Sequence, residues 1–403
     1  MDRARIAEFP VAILPRPVLQ YLCRDRPKAV VRSDPPGARH PGGLTTSRHP
    51  KVPSRNSSPL VSLLLLTYNQ QKFVEEAVRS ALLQTYQPLE IIVSDDASTD
   101  RTFEIARRVI EEYRGPHLVT VSVNDRNVGT NGHLNMAVRR ARGEFIVVAA
   151  GDDVSLPGRV ERLVEHWRSG ASGVFSNATI IDAQGSTKAI FVRQGYKHMA
   201  GWREMVLAGT HGAWGCTLSW EKKVFEVFGD MPENIMGEDA VIPFRCGLLN
   251  GLSYVDEPLV DYRDHGGNIS FWAEERRLSR NELVELGSRI MQFKVQMYGN
   301  WKKDTGLARD RNIIDTRQHD WAQLVLDENI LLVRKMDDLL KTSLVRLIFL
   351  LPYAWLYFAR RMCGAVSHFI ALKTTGWKLL NGVLHYRAPG THQIIRRVFG
   401  RNI

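Results

Sequence analysis

Four short apolar runs, separated by segments with helical periodicity, constrain the fold of this chain more than any other feature. The runs are LVSLLLL (60–66), LEIIVS (89–94), HLVTVSV (117–123) and FIVVAA (145–150). Apolar residues follow one another in them without the alternation of a half-exposed strand, which indicates strands buried on both faces. Strands of this kind that alternate with helices predict an α/β fold, a mostly parallel sheet flanked by helices.

Polar clusters follow three of these strands, at the positions where each strand should end. They read TYNQ, DDASTD and GDD. Ligands of open α/β sheets bind at the carboxyl ends of the strands, so we expect these clusters to form one crevice. The side chains expected there are Tyr68, Asn69, Asp95, Asp96, Asp152 and Asp153.

The adjacent carboxylates of Asp152 and Asp153 require an explanation, because two like charges at the end of a buried strand cost free energy. A divalent cation or a network of hydrogen bonds could stabilise them. Ser155 stands where it could cap the following helix, which would leave the Asp pair free for another role. Neither G-x-G-x-x-G nor a Walker A sequence occurs, so a metal would have to neutralise the phosphates of any bound nucleotide.

The net charge of +11 is concentrated at the two ends of the chain. Residues 1–58 carry 11 Lys and Arg against 4 Asp and Glu, and residues 341–403 carry 10 against none, whereas residues 59–340 have a net charge of −6. A nucleic-acid-binding core is therefore excluded. The four cysteines form no C-x-x-C pair, and no signal peptide is evident, so we expect a cytoplasmic protein.

The two ends of the chain also differ from its centre in pattern. Residues 1–58 are rich in Arg, Pro, Gly and Ser and are predicted to be disordered. Residues 271–343 have long helical patterns and form a helical C-terminal extension. Residues 344–403 include LIFLLPYAWLYFA, whose 13 apolar residues are too few to cross a bilayer. With the basic residues around it, this segment is predicted to lie in the interface of an anionic membrane at the inner face of the cell; the alternative is a helical addition packed on the core.

Several motifs in a fixed order give the chain a family resemblance. VSLLLLTYNQ, ALLQTYQPLEIIVSDDASTD, NVGTNGHLNMAVRRARGEFIVVAAGDD and MGEDAVIPFR are followed by YRDHGGNIS. Over residues 59–270 the sequence resembles a family 2 glycosyltransferase of the GT-A fold, a Rossmann-like sheet.

The resemblance implies roles for individual residues. Mg²⁺ or Mn²⁺ would be bound by Asp153 directly, with Asp152 and the loop residue His265 as further ligands, although Ala150 stands where many members carry a third acid. Asp239 of the GED motif would be the catalytic base, with Glu238 beside it in contact with the acceptor. The residues implied to bind the nucleotide are Thr67, Tyr68, Asn69, Asp96, Asn127, Gly129 and Asp152.

Each of these roles has a structural alternative. Asp96 could form a plain turn, Asp239 could cap the following helix, and His265 could bond only to its neighbours. Trp214 could stack on an acceptor sugar or pack in the core.

The expected activity is an inverting, metal-dependent transfer of a sugar from a nucleotide-diphosphate donor to a hydroxyl group. UDP is the expected nucleotide, and the acceptor would be a glycan or a lipid-linked glycan, as in cell-surface polysaccharide synthesis. One alternative is a sugar-1-phosphate nucleotidyltransferase, which would need a glycine-rich basic loop where this chain has TYNQQKFVEEA. The other is a catalytically silent binding module at the membrane.

Overall fold

The structure is a computed structural model that describes residues 58–191, 200–235, 237–268 and 280–341. The predicted disordered tail (residues 1–58, except Ser58) and the predicted membrane-interface segment (344–403) lie outside the described residues. No helix in the described ranges is long and apolar enough to cross a membrane.

Nine strands within these residues form a single sheet in the order β3-β2-β1-β4-β8-β6-β9-β5, with β7 paired to β6. Their bounds are β1 Val61–Thr67, β2 Leu89–Asp95, β3 Leu118–Val123, β4 Phe145–Ala150, β5 Val154–Ser155, β6 Gly173–Ile181, β7 Thr187–Phe191, β8 Ser219–Glu221 and β9 Leu252–Arg263.

Helices surround this sheet and continue beyond it. Their bounds are α1 Val74–Leu82, α2 Thr102–Glu112, α3 Gly129–Arg140, α4 Arg159–Trp167, α5 Trp202–Ala208, α6 Lys223–Phe228, α7 Ile242–Leu248, α8 Arg280–Asp310 and α9 Thr316–Lys341. Two 3-10 turns, Gly215–Thr217 and Glu238–Ala240, lie in the second half of the chain.

The predicted parallel sheet forms the first half of the domain. Strands β3, β2, β1 and β4 are all parallel, and β1 lies between β2 and β4. Alternate residues of β1 enter two different hydrophobic clusters: Leu63 and Leu65 pack on one face, and Leu64 packs on the other. Both faces are therefore covered, and the predicted α/β class with a helical C-terminal extension is confirmed.

The second half of the sheet mixes strand directions, and this places two distant segments together. Strand β5 follows the Asp pair directly and is antiparallel to β9, with Val154 opposite Asp261 and Ser155 opposite Val260. The end of β9 is thereby held beside Asp152 and Asp153.

The predicted cap at Ser155 is wrong. Ser155 lies in β5, where its backbone N–H donates to Ser80 Oγ at 3.0 Å, and α4 begins four residues later at Arg159 without a side-chain cap. Ser155 Oγ instead accepts a hydrogen bond from the Arg159 guanidinium at 2.9 Å. A short strand pairing thus replaces the helix start that the local sequence indicated.

Helix α8 of the extension packs against the sheet domain through buried groups. Trp301 is fully buried, and its ring stacks on Phe244 of α7 with centroids 4.5 Å apart. Arg245 Nε donates to Asp304 Oδ2 at 3.0 Å, with both side chains at most 5% exposed. Burial raises the pKa of the Asp304 carboxyl, and Arg245 offsets this only in part.

We expect Asp304→Ala to lower the free energy of unfolding by about 3 kcal/mol, because it leaves the buried Arg245 guanidinium without its counter-ion. Denaturant unfolding of the full chain measures this. The matched control Lys302→Ala removes an exposed pair with Asp327 and should change stability by less than about 1 kcal/mol. Equal effects of the two variants would contradict the interpretation that α8 is anchored through Arg245.

Candidate active site

The carboxylate of Asp95, the last residue of β2, is hydrogen-bonded inside the protein. It accepts hydrogen bonds from the Ser98 backbone N–H at 2.7 Å, the Ser98 hydroxyl at 2.6 Å and the Thr67 hydroxyl at 2.8 Å. The side chain is 1% exposed. Asp95 therefore fixes the turn after β2 and holds the end of β1, including the predicted nucleotide residue Thr67, against it.

Asp96 bonds to the beginning of α3. Its carboxylate accepts from the backbone N–H groups of Val128 and Gly129, each at 3.0 Å, and from Asn124 Nδ2 at 2.8 Å. Asn127 Oδ1 accepts from the same Gly129 N–H at 3.0 Å. The structure thus brings Asp96, Asn127 and Gly129 together and gives Asp96 a helix-capping role; their common nucleotide role stays a prediction.

Beside them, the end of β1 presents an exposed aromatic ring. Tyr68 is 45% exposed. Asn69 has a left-handed backbone with φ of 52°, and its side-chain oxygen accepts from the Thr99 N–H at 2.8 Å. Asn69 therefore joins the β1 loop to the β2 loop, and Tyr68 is an exposed aromatic member of the predicted nucleotide set.

The Asp pair after β4 is joined to the loop after β9. Asp152 Oδ2 lies 3.0 Å from His265 Nε2, and Asp153 Oδ1 accepts from the Arg263 backbone N–H at 2.9 Å. The Arg263 guanidinium donates to the Asp152 backbone carbonyl at 3.0 Å. Burial, followed by the neighbouring Asp152 carboxylate, raises the pKa of Asp153 well above its ordinary value.

Helix α1 and the residue before it support this loop from the other side. The Phe73 ring stacks on His265 with centroids 4.9 Å apart, and the Arg263 guanidinium lies 5.1 Å from the centre of the same ring. Arg263 also donates to Glu76 Oε2 at 2.5 Å. Sequence reasoning missed Phe73, Glu76 and Arg263, because their contacts span about 190 positions of the chain and leave no local pattern.

The GED motif forms the 3-10 turn Glu238–Ala240. A Cβ on Gly215 would collide with the Glu238 carboxylate, so this carboxylate lies directly on the first 3-10 turn. Burial and the adjacent Asp239 raise the pKa of Glu238 to about 7. The N-cap residues of this turn and of α7, Gly237 and Val241, give no side-chain cap.

Trp214 lies beside residues that adjoin both acidic groups, the Asp pair after β4 and the GED turn. Its ring lies between Phe191 and Tyr262, with both centroids 4.4 Å away, and is 8% exposed. Tyr262 immediately precedes Arg263, and Trp214 immediately precedes Gly215. An acceptor sugar would therefore reach only a small part of the ring, and the predicted stacking stays a prediction.

The side chains of the Asp pair and of His265 supply some, but not all, of the ligands that a divalent cation needs. Asp152, the second oxygen of Asp153 and His265 supply oxygen and imidazole groups of the kind that Mg²⁺ and Mn²⁺ accept. Within the described residues, however, no three His, Cys, Asp or Glu side chains are arranged as a ready metal site. Phosphate oxygens and water would have to complete the coordination.

Comparison with known proteins shows which family the chain is similar to. The profile described as "Glycosyl transferase family 2" matches residues 62–217. An uncharacterized glycosyltransferase of Nostoc sp. is 28% identical over 280 residues, which cover 66% of this chain and 85% of the relative.

A second relative carries a more specific name. It is the "GalNAc(5)-diNAcBac-PP-undecaprenol beta-1,3-glucosyltransferase" of Campylobacter jejuni, 30% identical over 34% of this chain and 43% of its own. Among solved structures, a mannosyltransferase of Pyrobaculum calidifontis in complex with GDP-Man and Mn²⁺ is 18% identical with a TM-score of 0.46, covering 82% of this chain and 89% of its own.

We expect Glu238→Gln to stabilise the protein at high pH only. The folded pKa of Glu238 lies above the ordinary 4.5, so the folded chain binds a proton that the unfolded chain has lost, and stability falls as pH rises from 4.5 to about 7. Glutamine carries no titrating proton, so the variant should not lose this stability as the pH rises. Thermal unfolding should show the variant melting above the wild type near pH 8 and no longer doing so near pH 4.5.

The matched control is Glu226→Gln, which replaces an exposed carboxylate on α6 and should show no such pH dependence. A difference between Glu238→Gln and wild type that is constant with pH would contradict the raised pKa.

Proposed function

The chain belongs to glycosyl transferase family 2 and is a glycosyltransferase, and we propose that it is an inverting, metal-dependent enzyme that uses a nucleotide-diphosphate sugar. The proposed acceptor is a hydroxyl group of a glycan or of a lipid-linked glycan. The proposed nucleotide is UDP.

The arrangement of Asp152, Asp153, Arg263 and His265 carries this proposal. Two adjacent carboxylates, one of them buried, are held at the end of β4 by a backbone N–H and an imidazole. Burial first, and the adjacent Asp152 carboxylate second, raise the pKa of Asp153, while Arg159 and Arg263 act in the opposite direction. A cation brought with a diphosphate would favour the ionised form of both carboxylates.

The metal would contribute charge stabilisation on the leaving nucleoside diphosphate, held by Asp152 and Asp153 with His265 as a further ligand. The protein's own residues fix these groups before a ligand arrives. Phe73 stacks on the His265 ring, and Arg263 donates through its backbone N–H to the Asp153 carboxylate and through its guanidinium to the Asp152 backbone carbonyl. At the neighbouring strand ends, Tyr68 and the loop of Asp96, Asn127 and Gly129 would receive the nucleoside.

Asp239 is the proposed general base. The acceptor hydroxyl oxygen would form a bond to the anomeric carbon as the bond from that carbon to the diphosphate oxygen breaks. The hydroxyl proton would pass to the Asp239 carboxylate, and the nucleoside diphosphate would leave with the electron pair. A single displacement of this kind inverts the anomeric centre, and Glu238 would face the acceptor beside it.

Two observations support a lipid-linked acceptor. The Campylobacter jejuni relative is named for an acceptor attached through a diphosphate to undecaprenol. Residues 344–403 of this chain are basic, acid-free and partly apolar, as expected of a segment that binds an anionic membrane surface at the inner face of the membrane.

We expect one nucleoside diphosphate among UDP, GDP and dTDP to bind the full chain in the micromolar range, and only with Mn²⁺ or Mg²⁺. Asp153→Ala should abolish the metal-dependent part of this binding, since it removes the carboxylate proposed to ligate the ion. Titration calorimetry measures both. Asp310→Ala, which removes an exposed carboxylate at the end of α8, is the control and should bind as wild type does. Metal-independent binding, or no binding by folded protein, would overturn the cation site.

We expect Asp239→Asn to lower turnover by about 10²–10⁴-fold while nucleotide binding stays unchanged, because asparagine cannot accept the acceptor proton. Sugar transfer measured with the donor identified by calorimetry tests this. Asp327→Asn alters an exposed carboxylate of α9 and should retain full turnover. Full activity of Asp239→Asn would exclude Asp239 as the base.

A further inference from the structure

We propose that Trp301 of helix α8 is a positioning residue for Asp239, so that the helical extension is part of the catalytic framework. The proposal rests on the proposed function, in which Asp239 accepts the acceptor proton. It concerns a residue outside the segment matched by the family profile, which ends at residue 217.

The contact between Trp301 and the catalytic turn is direct. Trp301 Nε1 donates a hydrogen bond of 2.8 Å to the backbone carbonyl of Ala240, the residue after Asp239. The indole is fully buried, and its ring is nearly parallel to that of Phe244, with an interplanar angle of 6°. Burial and the stacking on Phe244 therefore hold the donor in one orientation.

Within the described residues, the turn is closed by one backbone hydrogen bond, from the Val241 N–H to the Glu238 carbonyl at 3.1 Å. The N-cap residues of the turn and of α7, Gly237 and Val241, give no side-chain cap. The adjacent carboxylates of Glu238 and Asp239 raise one another's energy when both are ionised. A short, charged turn of this kind needs an anchor from another element to keep one conformation.

The loop before the turn is held by the same helix and by α3. Asn300 Nδ2 of α8 contacts Asn234 Oδ1 at 3.3 Å. On the opposite side, Asn131 Nδ2 donates to the Ile235 carbonyl at 2.6 Å, and Asn135 exchanges two hydrogen bonds with Met231, at 2.7 and 3.0 Å. The turn is therefore fixed between α3, which begins at the proposed nucleotide site, and α8.

A general base works only within hydrogen-bond reach of the proton it accepts. A displacement of about 1 Å can cost about 10²-fold in rate without any loss of the chemical group itself. Removing the indole N–H should therefore affect the chemical step and leave the nucleotide site, at the other strand ends, as it was.

The test is Trp301→Phe, which keeps an aromatic ring on Phe244 and removes the donor to Ala240. We expect kcat to fall about 10-fold, with KM for the donor and the calorimetric affinity for the nucleoside diphosphate unchanged. Amide hydrogen exchange of Val241 should become faster. The matched control is Trp321→Phe on α9, whose ring contacts Trp202 edge-on at 5.8 Å; it should leave kcat and Val241 exchange as in wild type.

Wild-type kcat in Trp301→Phe, or equal losses in both tryptophan variants, would overturn the proposal. If Trp301→Phe does not fold, Asn300→Ala removes the second contact from α8 to the same loop, and the same two readouts decide. If the wild type transfers no sugar, the proposed function fails. Amide hydrogen exchange of Val241 then still tests whether Trp301 holds the turn. Loss of Val241 protection in Trp301→Phe alone supports this anchoring, and retained protection excludes it.

Discussion

A parallel sheet with helices on both faces has one place where polar side chains can gather without being buried against apolar neighbours, the carboxyl edge of its strands. In this chain β1, β2 and β4 are buried along almost their whole length. The β1 residues Leu63, Leu64 and Leu65 alternate between two hydrophobic clusters, so an unpaired charge on either face would be costly. The buried Glu90 of β2 is paired with Arg142. Every carboxylate that follows these strands must therefore be satisfied at the edge.

The carboxylates at that edge divide into two kinds according to how they are satisfied. Asp95 and Asp96 accept hydrogen bonds from neighbouring N–H and hydroxyl groups, and they organise turns and the beginning of α3. Asp153 and Glu238 have raised pKa values, with burial as the first cause and a neighbouring carboxylate as the second. Groups of the second kind are typical of catalytic and ligand sites, because a ligand or proton supplies what the fold leaves unbalanced.

The sequence was sufficient for features that depend on near neighbours. Continuous apolar runs predicted the four strands β1, β2, β3 and β4, and the motif order predicted the family resemblance. The prediction that all four are buried on both faces is wrong for β3, whose residues are exposed or half-buried at this edge of the sheet. Ser155 shows the limit: a serine before Leu-Pro favours a helix start locally, but pairing with β9 places it in a strand. Contacts such as Arg263 with Glu76, or Trp301 with Ala240, join residues 187 and 61 positions apart and have no periodic signal in one sequence.

The asparagines of α3 have a consequence for recombination between related enzymes. Asn131 and Asn135 lie in the half of the domain that carries the proposed nucleotide site, and their partners at 231–235 lead into the turn with Asp239. A chimera that took its first half from one relative and its second from another would have to preserve these backbone contacts as well as the sheet. The hydrogen bonds between α3 and residues 231–235 therefore join the two halves, so that exchanging one half alone would leave these amide groups without their partners.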